Sequence, residues 1–259
     1  MMKTLCSIIL FGALASLLSG QDVGSSGKLI RTMGWGKGQP DLYYRDGAEY
    51  LRLHLSAGTI SGYHSYSGSS AMGVYIESTD PATGEPSYSP FLEVELLKGV
   101  DQQLLVFVPT PGNPDKLRAF AYDDSMEAFG EQDLLIFNFS PLPLAFQING
   151  EERFPLKPGQ SYIFSGGGKP HARVEIAAFR KDEWSVEYRA TPRLRKGYRS
   201  FFFFRDVEEL ARAGSGIEPI VFNERIASIR AAIANPDGNL SSGEISGSVT
   251  PFNADAFDE

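Results

Sequence analysis

The sequence predicts an all-β protein: two tandem β-sandwich halves of the immunoglobulin-like kind, with a short C-terminal helix. Three observations predict it. Apolar residues recur with period two along most of the chain, and turn signals fall about every eight to twelve residues. Helical periodicity of useful length is confined to one stretch near the end.

The elements follow in order. Residues 1–20 read as a secretory signal peptide: Lys3, an apolar run Leu5–Leu18, then Ser19 and Gly20 before Gln21-Asp22. The run is 14 residues long, and a spanning helix needs about 20, so cleavage is expected rather than retention as an anchor. Cleavage is expected after Gly20, with Ala13-Leu14-Ala15 as an earlier site. It removes Lys3 and Cys6, leaving 23 of the 24 basic residues against 32 acidic ones, a net charge of −9, and no cysteine. The mature chain then has no transmembrane segment. An exported protein without cysteine draws its stability from packing rather than disulfides.

Residues 21–44 read as a flexible arm, rich in Gly, Ser and Lys, with Trp35 and Tyr43-Tyr44 pinning part of it. Residues 45–122 read as the first sandwich. Tyr50–Leu55 and Phe91–Leu97 alternate strictly, as half-buried strands do. Leu104–Val108 is continuously apolar, as a strand buried on both faces is, and Leu117–Tyr122 closes the half. Residues 123–133 (Asp123, Asp124, Glu127, Glu131, Asp133) read as an acidic, solvated joint.

Residues 134–223 read as the second sandwich. Leu134–Phe139 opens it, and Leu144, Phe146 and Ile148 lead to Asn149-Gly150. Both residues tolerate positive φ, so the pair signals a hairpin returning through Glu151–Leu156. Pro158-Gly159 then turns the chain into Ser161–Phe164. Arg173–Phe179 and Trp184–Ala190 form a second hairpin across Arg180–Glu183. Tyr198–Arg205, with phenylalanine at 201–204, is expected to be buried on both faces, and Ile217–Phe222 follows. Glu208–Ala213 reads as one or two helical turns. Residues 224–235 read as a helix with Ile226, Ile229 and Ile233 on one face and Asn223 as its cap; residues 236–259 read as a mobile tail. The order of elements suggests a duplication, with the strand at 50–55 matching that at 134–139, and 104–108 matching 198–205.

Asp123-Asp124-Ser125, Phe137-Asn138-Phe139-Ser140 and Leu156-Lys157-Pro158-Gly159-Gln160 carry a likeness that Arg173–Tyr188 and Arg199–Phe204 extend. Over residues 45–222 the chain resembles a group of uncharacterised exported bacterial all-β proteins. The resemblance implies the architecture and export, and brings no activity with it.

The chemistry on offer is sparse. A net charge of −8 argues against nucleic acid as partner, since phosphate contacts need a basic surface. Three histidines at unrelated spacings make no zinc pattern, and the acidic joint lacks calcium-loop spacing, so no metal and no cofactor is expected. No serine sits in a nucleophile elbow, and Ser165-Gly166-Gly167-Gly168-Lys169 lacks the residues that complete a phosphate loop. Glu93 and Glu95 share a strand face, as paired acids or as ordinary solvent-facing residues. No catalytic residue is assigned.

Two binding features stand out. The loop Gly62–Tyr75 presents Tyr63 and Tyr66 among small residues, as adaptable contact loops do, or as cover for a sheet edge. Arg189, Arg193, Arg195, Lys196 and Arg199 crowd cations into eleven residues of an acidic protein. Concentrated guanidinium suits carboxylate or phosphate; the other reading is a solvated loop guarding a hydrophobic strand. The expectation is an exported, periplasmic or extracellular protein of the bacterial envelope, non-catalytic, binding or structural. Its expected partner is an anionic envelope polymer or an acidic protein. The competing expectation is a carbohydrate-active enzyme or carbohydrate-binding module on a β-sandwich.

Overall fold

The computed structural model describes residues 27–34, 40–55, 59–110, 113–150, 152–206 and 216–236. The expected signal peptide, the turns at 208–213 and the tail beyond residue 236 lie outside the described residues. Those residues form sixteen strands and one helix, so the protein is all-β as its periodicity predicts.

The first eight strands are β1 (Lys28–Gly34), β2 (Leu42–Asp46), β3 (Glu49–Leu53), β4 (His64–Tyr66), β5 (Ala71–Thr79), β6 (Pro86–Glu95), β7 (Gln102–Thr110) and β8 (Asn113–Asp123). The next eight are β9 (Leu134–Asn138), β10 (Leu144–Ile148), β11 (Glu152–Leu156), β12 (Ser161–Phe164), β13 (Val174–Arg180), β14 (Glu183–Ala190), β15 (Tyr198–Asp206) and β16 (Ile217–Arg225). Helix α1 (Ile226–Ala234) follows without a break.

They make four four-stranded sheets, ordered β3-β2-β5-β6, β4-β1-β7-β8, β12-β9-β15-β16 and β11-β10-β13-β14. Adding eight to each strand number of the first two sheets gives the last two. The single parallel pair of each half repeats as well, β1 with β7 and β9 with β15. The duplication is therefore real at the level of topology, but its register is corrected. The strand at 134–138 matches β1, and the strand at 49–53 matches β11.

Three apolar layers separate the four sheets. The first, between β3-β2-β5-β6 and β4-β1-β7-β8, includes Leu42, Val74, Val94, Leu105 and Phe107. The middle one joins the halves: Leu104 and Val106 face Leu135, Phe137, Phe201 and Phe203. The third, inside the second half, includes Ile136, Phe146, Ile176, Phe202 and Phe204. The two inner sheets are thus covered on both faces, which is why β7, β9 and β15 read as continuous apolar runs rather than alternating ones.

The expected flexible arm 21–44 is corrected where it is described. Residues 28–34 form a core strand with Ile30 and Met33 fully buried, and β2 starts at Leu42. Flanking glycines and the polar pair Arg31-Thr32 disguise this strand, yet both polar side chains are buried and bonded; Thr32 Oγ1 donates to the His54 carbonyl at 2.8 Å. The loop expected at 62–75 contains β4 and the start of β5. The helix starts at Ile226, not at residue 224. Strand β16 runs through Arg225, and Asn223 accepts from Ser200 Oγ (2.7 Å) instead of capping the helix.

At the second-half hairpin, Asn149 (φ 53°) and Gly150 (φ 75°) both take the positive φ their types tolerate. The ladder beyond them closes on the pair Ile148 and Glu152. Gly150→Val should cost about 1–3 kcal/mol, because a β-branched residue is forced into the left-handed region. A thermal melt checks this, and an unchanged midpoint overturns it.

Candidate functional site

The most concentrated set of charges is sealed inside the protein, at the end of the middle layer. Alternation places it there. Arg199 lies two residues before Phe201 on β15, Glu224 two after Phe222 on β16, and Arg31 two before Met33 on β1. Asp124 follows β8 directly. All four are buried.

Their bonds form a closed ring. Arg31 Nε and Nη2 donate to the two Asp124 oxygens (2.5 and 2.7 Å), and its Nη1 and Nη2 donate to those of Glu224 (2.5 and 2.8 Å). Arg199 Nη2 donates to Asp124 (2.8 Å) and its Nε to Glu224 (3.1 Å). Arg199 Nη1 is taken up by the carbonyls of Asp124 (3.1 Å) and Phe129 (3.0 Å). Tyr63 Oη donates to Asp124 Oδ2 at 2.5 Å. Two cations face two anions, so the group is neutral, and bidentate geometry offsets part of the cost of drying the charges. Aromatic faces complete the walls: Arg199 lies over Phe129 (4.6 Å) and Arg31 over Tyr63 (5.1 Å). Helix α1 covers this end, packing Ile226 and Ile229 on Tyr63, Leu29 and Met126.

Burial alone pushes the Asp124 carboxyl up. Arg199 and Arg31, with the hydrogen bonds from Arg31 and Tyr63, outweigh it and hold Asp124 below the usual carboxylate range. Burial pushes the Tyr63 phenol well up, so it stays a hydrogen-bond donor.

The sequence-based site residues part company here. Arg199 leaves the basic run: it is 0% exposed and saturated by the ring. Tyr63 and Tyr66 are also corrected, since both are buried. Tyr63 serves the ring, and Tyr66 packs against Tyr44 and donates to the Ser69 carbonyl (3.0 Å). Asp124 and buried Phe129 likewise make the joint at 123–133 part of the core rather than a solvated linker.

Arg189, Arg193, Arg195 and Lys196 are exposed. Arg189 reaches Glu175 at 3.7 Å. The other three lie on a connection pinned from both sides. Leu194 is buried, Leu194 N–H donates to the Pro170 carbonyl (2.8 Å), and Gly197 N–H donates to Glu131 (2.7 Å). Arg193 bridges His171, so this basic connection runs against the glycine-rich loop 165–169. Gly166 is needed there, because a Cβ would overlap the Gln132 carbonyl oxygen and press on Leu194.

The glycine-rich loop rims a cleft of about 500 Å³ floored by Ile148, Phe154, Tyr162 and Phe164. Composition gave no sign of this cleft, because its floor comes from three different strands. No cluster of three or more His, Cys, Asp or Glu able to hold a metal occurs among the described residues, and none of their helices is long and apolar enough to cross a membrane. No protein-family model matches the chain, and a search of curated proteins gives no match.

Proposed function

We propose that the protein is an exported, non-catalytic binding or structural component of the bacterial envelope, periplasmic or extracellular, that engages anions through Arg189, Arg193, Arg195 and Lys196. One observation carries the reading: Arg193, Arg195 and Lys196 are exposed on a pinned connection, just past exposed Arg189 on β14, in a protein whose formal charge is −8. The general acid excess repels anions elsewhere, so a fixed basic edge is selective. The converging acids Asp124 and Glu224 are consumed by arginines, which supports a structural role for them rather than catalysis. The architecture we assign is a fused pair of immunoglobulin-like sandwiches, on the strength of two facing sheets in each half.

Retention on immobilised polyphosphate tests the function. The wild type should be retained at low salt and released as salt rises, since exposed charges are screened over about 10 Å at 0.1 M. Arg193→Glu with Arg195→Glu should abolish retention while leaving the melting midpoint in place, because exposed charges contribute little to stability. Equal retention of both proteins at low salt overturns the reading.

A carbohydrate-binding reading draws on a separate observation. The outer face of sheet β3-β2-β5-β6 carries Tyr43, Tyr50, Tyr75 and Tyr88, half-buried and in mutual contact, with Tyr50 and Tyr88 stacked at 4.1 Å. Such rings offer faces and hydroxyls to sugars. Retardation in a gel containing soluble glucan, lost in Tyr88→Ala, would favour it; no retardation excludes it for that polymer.

A further inference from the structure

The cleft beside the basic connection opens between β11 and β12, edge strands of the two sheets of the second half. Its aromatic floor is anchored to the core: Phe154 stacks on buried Phe146 (5.6 Å) and meets Tyr162 (3.9 Å). A volume of about 500 Å³ falls within the range of small-molecule sites, roughly 300–1,000 Å³. Asn149, Ser165 and Lys169 supply its polar rim. No acid is among the described residues that line it.

The segment after Lys169 is tied to the basic connection. Two residues on, His171 bridges Arg193, and Ala172 N–H donates to the Pro192 carbonyl (3.1 Å). Gln132 Nε2 donates to the Leu194 carbonyl (3.0 Å) and reaches that of Lys169 (3.5 Å), tying the two segments together. Lys169 is the cation that lines the cleft, and the connection carrying Arg193, Arg195 and Lys196 is tied to the segment beside it.

We infer that this cleft takes the apolar tail of a single-chain amphipathic anion, whose phosphate or carboxylate head rests on Lys169, on the side of the cleft next to the basic connection. The inference rests on the proposed anion binding by the basic connection and names its ligand class. An apolar floor alone would take any hydrophobe, and the basic connection alone would take any polyanion. Their adjacency selects a molecule with both parts. Each CH₂ drawn into the floor should be worth roughly fourfold in affinity until the cleft is full.

Isothermal titration calorimetry on the full chain, below micelle-forming concentrations, tests this with hexyl and octyl phosphate, octanoate, inorganic phosphate and octyl glucoside. Octyl phosphate should bind one per chain, at least tenfold tighter than inorganic phosphate or octyl glucoside, and tighter than hexyl phosphate. Octanoate against octyl phosphate tells which head Lys169 prefers. Lys169→Glu should weaken octyl phosphate at least tenfold. Ser165→Trp, at an exposed position on the rim, should fill the cleft and abolish the gain from the chain, leaving retention on polyphosphate unchanged. Octyl glucoside binding as tightly as octyl phosphate overturns the inference, as does octyl phosphate no tighter than inorganic phosphate or indifferent to Ser165→Trp. Those results would leave polyphosphate retention intact. Loss of the basic-connection reading instead shows as wild-type protein that ignores polyphosphate at every salt concentration.

Discussion

An Asp124→Asn variant should lose about 3–5 kcal/mol of stability, the usual result of taking one partner from a buried ion group. The amide keeps the shape of the carboxyl but removes its charge. Arg31 and Arg199 are then left, dry, with Glu224 as their one anion. The amide nitrogen is also a donor, and on that side it faces guanidinium donors rather than acceptors. Urea unfolding at neutral pH should give a lower midpoint with an unchanged slope, since the surface exposed on unfolding is the same. A change under about 0.5 kcal/mol, as at an ordinary surface site, would show that the ring does not hold the halves together. Adding Arg199→Met to Asp124→Asn should cost less than the two single changes combined, because they remove parts of one network.

The same carboxyl fixes a pH dependence and its sign. Asp124 is held below the usual carboxylate range in the folded protein. It therefore contributes stability that is present above its unfolded value, about 3.9, and lost as pH falls through the folded one. Wild-type stability should drop steeply below about pH 4, and Asp124→Asn should lack that share of the drop. Identical acid limbs for the two proteins would assign the acid loss to other carboxylates.

Much of this arrangement can be read in the chain, and the misreadings have a common physical source. Alternation along β15 was clear, and carried two residues back from Phe201 it turns Arg199 inward. The cationic neighbours of Arg199 in the sequence mask that inward turn. Arg31 was hidden differently. A charge within Leu29–Met33 reads as surface unless its partners are known, and those partners sit 93 and 193 residues away. Period and turn chemistry are local, so they found strands and hairpins, including the one across Arg180–Glu183, where Lys181 and Asp182 take positive φ without glycine. Neither the stacking of the halves nor the cleft at β11 and β12 is local. Each depends on which sheet faces which, and a single chain read in order carries no such sign.

Phe203→Ala should cost about 3–5 kcal/mol, and Phe204→Ala a similar amount, though the two rings serve different layers. Phe203 lies in the middle layer, stacked on Phe137 (4.6 Å) and edge-on to Phe222 (5.3 Å). Phe204 lies in the layer inside the second half, edge-on to Phe146 (5.5 Å) and Tyr188 (5.7 Å). Both are fully buried, so truncation leaves a ring-sized void that packed sheets on either side cannot close. The pair tests how the halves are joined. An extensive apolar layer and a buried charge ring both span the junction, so the four sheets should unfold together. Each variant should then lower a single shared transition, by similar amounts. If the halves were merely tethered, Phe204→Ala would lower one of two transitions and leave the other in place. Calorimetry of the two variants decides this, and two separable transitions in the wild type would overturn the account of the middle layer as a common core.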